Sequence, residues 1–217
     1  STVPVLVVSF VLFGLGGGLY REEDLFAQRP IPAKVLDALA TPIHRRSMAA
    51  VMSLLSIPFV FLAELLAIAV LFVLPLALSL PVLLTVIAAI EELAKSLPLY
   101  AGYQRSRYRR SIRTAVVVGG LSGIGFFVGE KAAAVAQVVG LMELDLGRAA
   151  FELGAGLGGP GPWPVVVVLL APLALHMVTT TVSSIGASRG RPSYVTALGV
   201  AIAIHTAYNL TVVSLLG

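Results

Sequence analysis

Cysteine is absent from this 217-residue chain, which removes disulfides and thiolate metal sites from consideration. Charge is scarce too: 12% of residues are charged and 58% are hydrophobic, a balance far from ordinary soluble usage. The formal charge of +4 is too small and too dispersed to argue for nucleic-acid binding. No composition break marks a second domain and no internal repeat is evident, so residues 1–217 read as a single transmembrane domain. The chain does not open on methionine, and the expectation is a processed product or a fragment of a longer protein. Its first residues, Ser1-Thr-Val-Pro, lack the basic region of a signal peptide.

What the chain does have is long apolar runs. Six reach the roughly 20 residues that a spanning helix needs. They are placed at 3–20, 48–73, 82–103, 114–139, 164–187 and 194–216, and the second is open to running on past Pro75 toward Leu80. Runs of this length without alternation predict helices, hence an all-α polytopic bundle. The connections support the count. Residues 20–47, 104–113 and 188–193 hold twelve of the fifteen Lys and Arg, while the opposite loops hold only Arg148. The positive-inside rule then makes the basic loops cytoplasmic and places both termini of the chain outside. An integral protein of a prokaryotic plasma membrane is expected.

Two loops invite further reading. In 20–47, Pro30, Pro32 and Pro42 break any long helix, and Ile31 to Leu39 forms a short amphipathic turn at the interface. That loop is also a candidate dock for a cytoplasmic partner. The outer loop 141–163 holds Gly154-Ala-Gly-Leu-Gly-Gly-Pro-Gly-Pro, read either as a lid or as a plain linker. The five arginines of 104–113 read as an anchor to anionic membrane lipids, with no nucleic-acid partner.

Against this background, ionisable residues inside the spans stand out, because each is costly in hydrocarbon and tends to mark function. Glu91 and Glu92 lie in the third span, Glu130 in the fourth, His176 in the fifth, and His205 with Asn209 in the sixth. At 1.5 Å per residue the glutamates and histidines lie roughly 14–18 Å from the outer ends of their spans, at one level near the midplane. Glu91 and Lys95 are spaced i, i+4 with the acid first, the favourable order for a helical ion pair. Glu92 is turned about 100° from Glu91 and serves another direction. Phe126 with Glu130, and His205 with Asn209, each share a helix face. Glu64, in the second span, is assigned a structural role or a pairing with Lys131.

Glu91-Glu92-Leu-Ala-Lys95, Phe126-Phe-Val-Gly-Glu130, His176 and His205-Thr-Ala-Tyr-Asn209 together resemble the motifs of PrsW-type intramembrane proteases. The wider clan includes the type II CAAX prenyl endopeptidases, which carry Glu-Glu-x-x-x-Arg and Phe-x-x-x-His instead. The spacing to Lys95 and the glutamate at 130 favour the PrsW side. The resemblance covers about residues 82–216. It implies a four-helix catalytic core over 81–217, preceded by two spans and a cytoplasmic loop in 1–80. It implies hydrolysis of a peptide bond in a membrane-anchored protein or peptide. Glu91 is the implied base activating water and Glu92 its assistant, while Glu130 and His176 complete a water or metal site. His205 and Asn209 are the implied oxyanion donors.

Two mechanisms stay open at this point. One is glutamate-dependent and metal-free; the other uses a divalent metal such as zinc held by Glu130, His176 and His205. Two other functions also stay open, a non-catalytic membrane scaffold and a transporter or permease component using the same cluster for ions or protons. Retention of three glutamates together argues against the scaffold.

Overall fold

A computed structural model describes residues 9, 10, 13, 30–71, 73, 75–141 and 163–216. These residues form α1 (Ile31–Ala40), α2 (Met48–Leu71), α3 (Leu76–Gln104), α4 (Ile112–Leu141), α5 (Trp163–Arg189) and α6 (Arg191–Leu216), with no strand among them. The span expected at 3–20 and the glycine-rich stretch from Gly154 lie outside the described residues, apart from Ser9, Phe10 and Phe13.

Helices α2, α4, α5 and α6 are long and apolar enough to cross a membrane. Helix α3 has 29 residues, about 43 Å at the standard rise, and its apolar run is interrupted by Glu91, Glu92 and Lys95. The bundle is centred on α4 and α5, which pack on each other. Helix α2 covers α4, α6 covers α5, and α3 touches α2, α4, α5 and α6. Lipid exposure follows this order: α2 is buried over only 11% of its spanning window and α4 over 56%. Leu62, Leu65, Leu66 and Val70 accordingly turn outward from α2.

Glycine sets the closeness of the central pair. A Cβ added at Gly119 or Gly123 of α4 would lie 2.6 Å from the α5 backbone, at Thr181 and His176 respectively. On the opposite flank, a Cβ at Gly125 would overlap the α2 backbone at Ala50. Small residues at four-residue spacing let membrane helices approach backbone to backbone, where dispersion contacts hold them. Gly123→Ala is therefore expected to push α5 outward at His176. Its melting temperature in detergent should fall by several degrees; an unchanged melting curve would refute the close contact.

Element ends differ from expectation in three places. Helix α2 stops at Leu71 and does not continue past Pro75; that proline instead caps the start of α3. Helix α3 thus begins six residues earlier than the expected 82 and carries Pro81 internally. The missing N–H of Pro81 falls in the second turn and costs a single hydrogen bond. The expected turn 188–193 shrinks to Gly190, whose φ of +120° is open to glycine and lets α6 return at once. The 20–47 loop does hold a short helix, with Pro32 in its first turn and Pro42 beyond its end.

The three basic segments meet at one end of the bundle. Arg105, after α3, bonds Asp37 of α1, and its guanidinium donates to the Ala33 carbonyl at 3.1 Å. Ile43, Leu99, Tyr103, Tyr108, Ala115, Ala187 and Tyr194 pack into one apolar cluster there. Burial of Tyr108 in this loop pushes its hydroxyl pKa up from the ordinary value.

Candidate active site

Four helices carry the centre. Helix α3 supplies Glu91, Glu92 and Lys95; α4 supplies Phe126 and Glu130; α5 supplies His176 and Thr179; α6 supplies His205. Glu92 and Lys95 are fully buried, His176 and His205 nearly so. Buried charge is costly unless paired and hydrogen-bonded, so the contacts made by each group decide what it is able to do.

Glu92 is the anchor through one oxygen, while its Oε2 is buried without a hydrogen-bond partner. Its Oε1 accepts from the Lys95 ammonium at 2.7 Å, from Thr179 Oγ1 at 2.9 Å and from His205 Nδ1 at 2.8 Å. A carboxylate accepts only, so His205 donates from Nδ1, and in the neutral ring its Nε2 presents a lone pair. That Nε2 lies 3.7 Å from Glu91 Oε2. Glu91 Oε2 is itself buried and has no hydrogen-bond partner. Two acceptors so close repel unless a donor stands between them, and a water molecule can supply one hydrogen to each.

Lys95 holds the opposite side of the cluster. Its ammonium bonds His176 Nδ1 at 2.9 Å, lies 3.5 Å from Glu91 Oε2 and sits 4.4 Å above the Phe126 ring centre. An ammonium donates only, so His176 Nδ1 is the acceptor and Nε2 carries the proton. Nε2 donates that proton to Glu130 Oε2 at 2.9 Å. The Phe126 and His176 rings lie 5.1 Å apart, which fixes the imidazole from the side.

The structure thus brings Glu91, Glu92, Glu130, His176 and His205 together. Asn209 lies one turn beyond His205 on α6, half-buried, and hydrogen-bonds no member of the cluster among the described residues. Glu130 is partnered by the adjacent Lys131 at 2.9 Å as well as by His176. Lys131 therefore pairs within its own helix and not with Glu64. Glu64 of α2 instead lies close enough to Glu91, Glu130 and Lys95 to interact with their charges. Sequence reading misses Thr179, although its place three residues after His176 on one helix face is an available signal.

Metal binding can be tested against this arrangement. Glu91, His176 and His205 each offer a ligand atom, all within 4.8 Å of one another. Two histidines with a glutamate are an acceptable catalytic zinc set, and Glu92 and Glu130 orient the two rings as outer-shell carboxylates do. The carboxylate in this trio is Glu91, whereas the trio expected from the sequence has Glu130. As arranged, however, the set does not fit a three-ligand divalent ion. The His176 Nδ1 lone pair is engaged by Lys95, its Nε2 carries a proton, and a buried ammonium stands among the would-be ligands.

The family model described as PrsW family intramembrane metalloprotease matches residues 42–217. No curated protein and no solved structure matches the chain.

Proposed function

Since the chain belongs to the PrsW family of intramembrane metalloproteases, we propose that it hydrolyses a peptide bond of a membrane-anchored protein or peptide, with Glu91 activating the attacking water. The observation that carries this reading is the unbonded, buried Oε2 of Glu91 beside the lone pair of His205 Nε2. Water held between these acceptors turns an oxygen lone pair outward, toward a carbonyl carbon. Glu91 takes a proton as the C–O bond forms and returns it to the amine as the C–N bond breaks.

The remaining groups position this pair. Glu92 keeps His205 in the Nδ1–H tautomer, and Thr179 and Lys95 keep Glu92 in place. In that tautomer His205 orients water, which leaves the amide of Asn209 as the oxyanion donor on α6. Glu91 has a 13% exposed side chain, against 0% for Glu92, so it is the member of the pair that a substrate can reach. Reconstitution in liposomes with membrane-anchored peptides, followed by mass spectrometry of the products, tests the activity. Failure of Glu91→Gln to reduce product formation would end this assignment.

Orientation is part of the proposal: the basic end faces the cytoplasm of a prokaryotic plasma membrane. The cysteine-free sequence makes the test direct. Arg109→Cys is expected to react with a membrane-impermeant maleimide only after cells are opened. Labelling of intact cells would invert the topology.

A further inference from the structure

Lys95 is more fully enclosed than a helical ion pair requires. Its side chain is 0% exposed, and three acceptors surround the ammonium: Glu92 Oε1 at 2.7 Å, His176 Nδ1 at 2.9 Å and Glu91 Oε2 at 3.5 Å. The Phe126 ring closes a further side at 4.4 Å. Two of the ammonium's three donors meet acceptors at hydrogen-bond distance, on Glu92 and His176, and Glu91 Oε2 stands at ion-pair distance beyond them. Two of those residues, Glu91 and His176, belong to the trio that could hold a divalent ion. The same donor atoms therefore already surround a cation, one that the chain itself supplies.

We propose that the Lys95 ammonium is the resident cation of the active site, and that a divalent metal binds at Glu91 and His176 only by displacing it. The inference rests on the reading of this cluster as the active site, and adds that lysine and metal exclude one another there. Charge supports the exclusion. Glu91, Glu92 and Lys95 sum to one negative charge, and a divalent ion added beside the ammonium meets a like charge a few ångströms away in a poorly screened interior. Removal of the ammonium frees the His176 Nδ1 lone pair and leaves two uncompensated carboxylates, a far better metal site.

The test reads metal uptake by the full chain in detergent, with Co(II) or Zn(II) as the probe and no peptide present. Lys95→Met is expected to bind Co(II) at least about 10-fold more tightly than the unmodified protein. Lys95→Arg, which keeps the charge, should bind no more tightly than the unmodified protein. Equal affinity in all three, or weaker binding in Lys95→Met, overturns the proposal. The unmodified protein gives a second test that holds even where Lys95→Met does not fold. It is expected to leave purification with well under one metal ion per chain. One tightly held ion per chain, absent from Glu91→Gln, overturns the proposal. Because uptake is measured without cleavage, a failure here is separable from a failure of the protease reading, which would appear as no cleavage of membrane-anchored peptides by the unmodified protein.

Discussion

Glu91→Gln is expected to lower cleavage of a membrane-anchored peptide by about 10²- to 10⁴-fold, the range associated with loss of a general base. The protein should remain folded, because Glu91 does little to hold the cluster together. It meets Lys95 only at 3.5 Å, and its Oε2 accepts no hydrogen bond. Glutamine keeps the shape and loses the capacity to take a proton, so the effect should fall on kcat with little change in KM. Two measurements check it: single-turnover cleavage in proteoliposomes, and a melting curve that overlays the unmodified protein. Retained turnover would mean that water is activated elsewhere, with Glu130 the next candidate.

Glu92→Ala should produce the largest drop in stability. Removal of this carboxylate strands the fully buried Lys95 and takes an acceptor from both Thr179 and His205. Breaking one side of a buried pair typically costs about 3–5 kcal/mol, a large part of a domain's stability. The double variant Glu92→Leu with Lys95→Met removes both charges and should recover most of that stability, as apolar replacements of buried pairs often do. Denaturation of the unmodified chain, Glu92→Leu, Lys95→Met and the double variant in one detergent closes the cycle. A Glu92→Ala protein that unfolds with the unmodified chain would show that Lys95 is held by other partners.

The contrast between these adjacent glutamates is only half legible in the sequence. Helical rotation separates them, and the i, i+4 rule pairs Glu91 with Lys95. In the structure Lys95 is closer to Glu92, at 2.7 Å, because His176 and Phe126 draw the ammonium toward the α4–α5 side. That choice depends on helices far away in sequence, which local spacing cannot weigh. The helices themselves are readable, since apolar runs of this length have few alternatives in hydrocarbon. Their ends are less so: Pro75 and Pro81 carry similar local signals, and only packing decides that α3 starts at the first. Lys131 illustrates the same limit. Neighbours on a helix point apart, yet long side chains close the gap, and the lysine reaches Glu130 at 2.9 Å.

Helix α3 also bears on how the chain enters its membrane. Each charged residue near a helix centre opposes insertion by about 2.5–3.5 kcal/mol, and α3 carries three within five residues. Lys95 offsets this in part, because it meets Glu91 and Glu92 within the same helix and cuts the segment's net charge to one. The rest of the compensation comes from His176 and His205, on helices synthesised only afterwards. The order of synthesis therefore leaves α3 incompletely partnered until α6 has emerged. A chain truncated before residue 190 should be retained by the insertion machinery or degraded, even though every helix up to that point is intact.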